Sequence, residues 1–308
     1  MTTTTPTQQP AEFDIGEWHI ETNQTSILSA PEIDAATARL GLPMPEMIFG
    51  NNYVLLKHAP TGFEMRFNTL AALDLVDKTG ERDGLVQVSY SKAWQKSRES
   101  TAANNPDEVI QGIVKPFDWT YTTAYKGESS HELTQAPDNT STGPNGTVEQ
   151  ENGGDENNNG FEIPFDRLRR PDPILFYKEI PLYEDELGDN GIVSYTIKLR
   201  VMPERLLLLA RFFLRVDNVM FRIRDTRVFI EFSENLVLRE YQEREDDYKN
   251  VYRKIPRVTK DFGQWLRDEN WVCSKIQPKK IVRERIILGS APGVIAEESM
   301  ETITSNLS

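Results

Sequence analysis

Between Val193 and Pro203 the chain alternates strictly: Val193, Tyr195, Ile197, Leu199 and Val201 are apolar, while Ser194, Thr196, Lys198 and Arg200 between them are polar. Side chains of a strand point to opposite faces in turn, so this period of two specifies a long strand with one oily face. Pro203 closes it, because proline has no N–H to offer a continuing ladder. Such a strand needs partners, and the sequence supplies them. Phe63, Met65 and Phe67 alternate with Glu64 and Arg66. From Leu206 to Val216 the residues fit either a strand or a helix begun at Pro203-Glu204. Asp217-Asn218 is turn chemistry, and Val219, Phe221 and Ile223 resume alternation after it, which favours a hairpin. A further strand is expected over Val228 to Phe232, after a break at Arg224-Asp225-Thr226.

Helices read as shorter elements. Asn68 can cap Thr69 to Val76, where Leu70, Leu73 and Val76 share a face. Ile33 to Leu40 is a second helix, ended by Leu42-Pro43, and the Glu/Arg-rich stretch Leu238 to Tyr252 is a third. Phe117, Trp119 and Tyr121 read as a strand beside Ile174, Phe176 and Ile180. The expected class is α+β, a single domain with a mainly antiparallel β-sheet core flanked by short helices.

Composition sets the boundaries of that domain. Residues 1–14 form a polar arm, and residues 288–308 a small-residue, Ser/Thr-rich tail; both are expected to be disordered. Residues 128–160 contain seven acidic side chains, no Lys or Arg and almost nothing apolar. A segment of that kind cannot bury enough surface to offset its ordering entropy. It is expected to be a disordered acidic insertion, looped out of one folded domain made of residues 15–127 and 161–287, since closing a long loop costs little.

The formal net charge of -13 argues against a nucleic-acid partner, because affinity for phosphate backbones comes from Lys and Arg. The basic stretch Lys275, Lys279, Lys280, Arg283 and Arg285 reads as a solvated segment. Cys273 is the only cysteine, so neither an internal disulfide nor a cysteine zinc site is available. Neither a leader-type segment nor a membrane-length apolar run is visible, so the expected location is cytoplasmic, with nuclear access left open and no membrane partner.

Residues for chemistry are sparse. His19, His58 and His131 are the only histidines and lack a metal-ligand spacing; nucleophile-elbow, Walker and dinucleotide-binding glycine patterns do not occur. The run Glu184-Asp185-Glu186-Leu187-Gly188-Asp189-Asn190-Gly191 has the oxygen density a hard cation wants but lacks the calcium-loop layout. It reads as a hairpin connection in which Asn190-Gly191 makes the tight turn. No catalytic residue, metal or cofactor is therefore expected. Arg211, Arg215, Arg222, Arg224 and Arg227 punctuate very apolar strands, with Asp217 and Asp225 close by. Charges in such strands need partners. Two readings stay open: an internal Arg/Asp network that pins the hairpin, or a sheet face lining a groove where Asp225 and the arginines meet a peptide.

Five stretches resemble signatures of the TIPRL family, the TIP-forty-one-like regulators of TOR signalling. They are Leu42 to Asn52 (LPMPEMIFGNN), Pro116 to Thr123 (PFDWTYTT), Leu182 to Gly191 (LYEDELGDNG), Lys198 to Pro203 (KLRVMP) and Arg211 to Arg227 (RFFLRVDNVMFRIRDTR). The resemblance covers roughly Ile15 to Arg244 apart from the acidic insertion. It implies a non-enzymatic protein that binds the catalytic subunit of type 2A and related phosphatases, including their C-terminal tails, in some lineages through an alpha-four-type subunit. Family positions linked to that contact fall on Ile163, Ile223 and Asp225. Two positions depart from the pattern, Ala71, where relatives carry an acidic residue, and Ala124, where they tend to. The expectation is a cleft beside the sheet in which Ile163 and Ile223 bury apolar side chains of an extended phosphatase segment and Asp225 fixes its backbone or a charge. The alternatives are a general peptide-binding scaffold and a metal-dependent hydrolase built on Glu184 to Asp189.

Overall fold

The computed structural model describes residues 10–77, 120–136, 160–256 and 262–289. Within them the chain forms two antiparallel sheets. The larger is built on β8 (Phe176–Asp185), β9 (Gly191–Val201), β10 (Arg205–Val216), β11 (Met220–Glu231), β12 (Leu236–Asp247) and β13 (Pro278–Ile287), paired in chain order. Two-residue strands β3 (Met47–Ile48) and β7 (Thr134–Gln135) flank it, on β8 and β13 respectively. The smaller sheet runs β1 (Ala11–Ile15), β2 (Trp18–Asn23), β4 (Tyr53–His58), β5 (Phe63–Asn68) and β6 (Glu128–Ser129).

One core joins the sheets. The apolar set of β9, from Val193 to Val201, and the even positions of β10 from Leu206 to Val216 cluster with Trp18, Ile20, Val54, Leu56, Phe63, Met65 and Phe67, all buried. Each side chain of this size contributes roughly 1.5–3 kcal/mol when taken out of water. Between the sheets passes the segment 120–127, which carries Tyr121 and Tyr125 into the core. Its carbonyls satisfy buried phenols: the Tyr183 hydroxyl donates to the Tyr121 carbonyl at 3.0 Å, and the Tyr195 hydroxyl to the Tyr125 carbonyl at 3.2 Å. Tyr121, expected in a strand, instead has a left-handed backbone (φ 54) in this connection. Phe117 and Trp119 lie outside the described residues.

The ambiguous run from Leu206 is strand, and Asn218, at φ 65, makes the β10–β11 turn. Two expectations are corrected. Strand β11 runs through Arg224-Asp225-Thr226 without a break, because Arg211 and Gln242 stand opposite Asp225 and keep the ladder continuous. Leu238 to Tyr252 is mostly β12, and only α4 (Tyr248–Arg253) is helical there; its Glu and Arg side chains pair across strands. The turn before β9 also differs: the left-handed residues are Leu187, Gly188 and Asp189, while Gly191 opens the strand. A Cβ at Gly191 would lie 1.9 Å from the Arg215 carbonyl oxygen, so this glycine is required by close backbone approach.

Order also reaches into the polar segments. Phe13 of β1 stacks on Phe176 at 5.3 Å, β6 and β7 take up the start of the acidic insertion, and Leu288 is buried. Residues 1–9, 137–159 and 290–308 lie outside the described residues.

Helix α1 (Ala30–Leu40) begins a turn earlier than expected, where the Glu32 carboxylate accepts from the Ser29 amide at 2.8 Å, and ends at Gly41 (φ 67). Helix α2 (Thr69–Asp74) starts as its sequence implies, with the Asn68 side chain accepting from the Ala71 amide at 2.9 Å. Asn68→Ala is expected to cost about 1 kcal/mol, read as a lower urea midpoint with an unchanged slope.

Candidate functional site

Register partners in antiparallel strands share a face, so the outer face of the large sheet reads rung by rung. Ser194, Phe213, Ile223 and Arg244 form one rung. Next come Thr196, Arg211, Asp225 and Gln242, then Lys198, Leu209, Arg227, Glu240 and Arg283. Beyond them lie Arg200, Leu207, Phe229, Leu238 and Arg285, and finally Arg205 opposite Glu231.

Two covers close the ends of this face. Over the first rungs sit α4, α5 (Phe262–Arg267) and α6 (Glu269–Lys275). Val251, Ile255, Leu266, Val272, Cys273 and Ile276 from this cap pack on Phe213, Phe221 and Ile223 in a second core. Asp268 starts α6 by accepting from the Asn270 and Trp271 amides, both at 3.0 Å. At the other end lies a strap, residues 160–172, which includes α3 (Phe165–Leu168). It is tied down by Arg167 to Glu231, Asp172 to Arg205, Arg170 to Glu204 at 2.9 Å and Glu162 to Arg283 at 3.3 Å. The Arg285 guanidinium stacks on Phe161 at 4.4 Å. Between the covers, Leu207 and Leu209 remain half-buried, beside Arg200 and beside Lys198, which pairs with Glu179 at 3.1 Å. This open strip was missed from sequence, although Leu206-Leu207-Leu208-Leu209 is apolar on both faces, the pattern of a strand covered on two sides.

Beneath the cap runs a connected charge network. Asp225 is 0 % exposed and accepts from Arg211 Nε at 2.7 Å and Nη2 at 2.8 Å. Arg211 also donates to Asn270 of α6 at 2.9 Å, and the Cys273 thiol lies 3.7 Å from Asp225. Arg227 stands 3.5 Å from Asp225 and 3.2 Å from Glu240, which accepts from Arg283 at 3.1 Å. Burial would lower the Arg211 pKa, but the Asp225 carboxylate outweighs it and holds the guanidinium above its ordinary value. Burial pushes the Cys273 thiol up, and the Asp225 charge adds to that, so this cysteine stays a protonated, apolar side chain.

Ile223 and Asp225 therefore share a face one rung apart, under the cap rather than in the open strip. Ile163 is half-buried on the strap. Its neighbour Glu162 leads back to Asp225 through Arg283, Glu240 and Arg227. The acidic run is the β8–β9 turn, where buried Asp185 accepts from the Leu187 and Glu46 amides at 2.6 and 3.0 Å and burial raises its pKa. Among the described residues no group of three or more His, Cys, Asp or Glu is placed to hold a metal. Ala71 lies in the first turn of α2, and Ala124 is exposed.

The family model for the TIP41-like family matches residues 47–252, a range that holds β3 to β12 and the strap but not β1, β2 or β13. This chain belongs to the TIP41-like family. It is 39% identical over 283 residues to "Type 2A phosphatase activator TIP41" of Saccharomyces cerevisiae, covering 88% of this chain and 73% of that one. Against the human "TIP41-like protein" the identity is 34% over 278 residues, covering 88% of this chain and 91% of the relative. "Type 2A phosphatase activator tip41" of Schizosaccharomyces pombe is 31% identical over 271 residues, covering 87% and 95%. Within the TIP41-like match fall the open strip, Ile163, Ile223, Asp225 and α4, while α5, α6 and β13 lie C-terminal to it.

Proposed function

We propose that this chain is a non-catalytic regulator that docks the catalytic subunit of a type 2A phosphatase across the open strip of the large sheet. The observation that carries the reading is the strip itself: Leu207 and Leu209 stay only half-buried while the same sheet face is sealed on either side. An extended partner segment would lay apolar side chains on the two leucines and acidic ones toward Lys198 and Arg200. The phosphatase as partner is drawn from relatives whose names describe them as type 2A phosphatase activators. Ile163 supplies an apolar edge from the strap, and Ile223 and Asp225 hold the cap that forms the opposite wall. The reading includes action in TOR nutrient signalling, a cytoplasmic location and contact with an alpha-four-type subunit in the same assembly.

An interface of ordinary size, about 1,600 Å² in total, would spread well beyond the strip, but a few central residues should dominate its energy. Leu209→Asp is expected to weaken capture of purified phosphatase catalytic subunit at least tenfold, and Lys198→Glu several-fold. Because both side chains are partly exposed, thermal unfolding should move little. Full capture by a well-folded Leu209→Asp variant would remove the strip from the docking surface.

A further inference from the structure

On the smaller sheet, away from the strip, the structure holds a cavity of about 600 Å³ with no role in the phosphatase reading. Its walls include Arg39 from the last turn of α1, Arg66 and Asn68 from β5, Tyr53 from β4, Asn23 from β2 and Pro10. Neither guanidinium has an ion-pair partner among the described residues; Arg66 stacks on the Tyr53 ring at 4.6 Å, which leaves its N–H groups for a ligand. One carboxylate, Glu128, is itself a wall of the cavity and the cross-strand neighbour of Arg66. Glu21 accepts from the Tyr53 hydroxyl, and Glu128 accepts from the Asn68 amide at 2.8 Å. Glu12 and Glu21 share a rung with Arg66 but stand beyond Leu55, with Glu21 two strand spacings away, about 9–10 Å. What the cavity presents is a pair of planar, forked donors, the donor set that suits a phosphomonoester, while the Asn23 and Asn68 amides donate to the Asn51 carbonyl and to Glu128.

Pro10 gives that chemistry a source. The chain enters the described structure at the cavity wall, so the preceding residues begin there. Those residues, Met1 to Gln9, carry no charged side chain and include Thr2, Thr3, Thr4, Thr5 and Thr7. At about 3.3–3.6 Å per residue, Thr7 lies within roughly 11 Å of Pro10. Unmodified, the side chains of this arm have no anion to offer. Phosphorylated, it gains about −1.5 to −2 charge and three strong acceptor oxygens beside two arginines. We propose that the cavity is the binding site for the chain's own N-terminal arm when Thr7 is phosphorylated, with Arg39 and Arg66 clasping the phosphate.

The test uses the full chain and a fluorescent peptide of residues 1–12, with and without phosphate on Thr7, followed by fluorescence anisotropy at about 0.15 M salt, where only close charges still act. The phosphopeptide is expected to bind at least tenfold tighter than the plain peptide. An Arg39→Gln, Arg66→Gln double variant should lose that preference while unfolding at the same temperature, since both side chains are exposed. A full chain prepared with phosphothreonine at position 7 should take up the free phosphopeptide at least tenfold more weakly, its own arm filling the site. Equal binding of the two peptides, or an undiminished preference in the double variant, would overturn the site. Undiminished uptake by the Thr7-phosphorylated chain would overturn the arm as its occupant.

Discussion

Asp225→Asn should lower the stability of the fold by about 3–5 kcal/mol, the usual consequence of removing one partner of a buried ion pair. The size follows from what is left behind. Arg211 has a side chain only 7% exposed, and both of its contacts to Asp225 are charge-assisted. An asparagine keeps the shape but not the charge, so a guanidinium would remain in the interior with Asn270 as its other partner. The measurement is a urea unfolding midpoint for the single variant and for Asp225→Asn combined with Arg211→Met. Removing both charges should recover much of the loss, because the destabilisation comes from the stranded arginine. A single variant that stays within about 0.5 kcal/mol of the parent yet loses phosphatase capture would place Asp225 at the partner instead of beneath the cap.

Phe221→Ala is expected to cost about 3–5 kcal/mol as well, and to do so locally. Phe221 is 0 % exposed and lies between Phe213, at 6.2 Å, and Tyr248, stacked at 5.4 Å. Tyr248 begins α4, so deleting the ring removes the floor on which that helix rests. Hydrogen exchange should show amides of 248–253 and 266–276 losing protection before those of β9 and β10, which belong to the other core. Uniform loss across both groups would mean that cap and sheet open as one unit.

Much of the sheet was legible because its pattern is local. The alternation from Val193 to Val201 reports a face directly, and Asp217-Asn218 reports a turn directly. What escaped depends on partners remote in sequence. Strand β12 reads as a helix because Glu240, Glu243, Arg244 and Glu245 look solvent-bound, yet Glu240 is held by Arg227 and Arg283, and Glu245 by Arg222 at 2.7 Å. Cross-strand pairing turns charged residues into acceptable sheet residues, and periodicity along one strand contains no trace of it. The same holds at the site. Arginines within apolar strands flagged the Arg211–Asp225 network, but the cap residues above it, Val272 and Cys273, gave no comparable signal. Their role depends on where α6 is returned over the sheet. Ile163 was reached only by resemblance, since the alternation of Phe161, Ile163 and Phe165 is too short to report a partner.

The acidic excursion leaves and rejoins the fold at one strand: the Ala136 amide donates to the Arg283 carbonyl at 2.8 Å, and Arg285 donates to the Gly160 carbonyl at 3.3 Å. Ends fixed so close together make residues 137–159 a natural splice point. A fluorescent protein or an affinity handle whose own termini are adjacent should be accepted there with both sheets intact, giving a reporter that leaves the arm, the strip and the cap untouched.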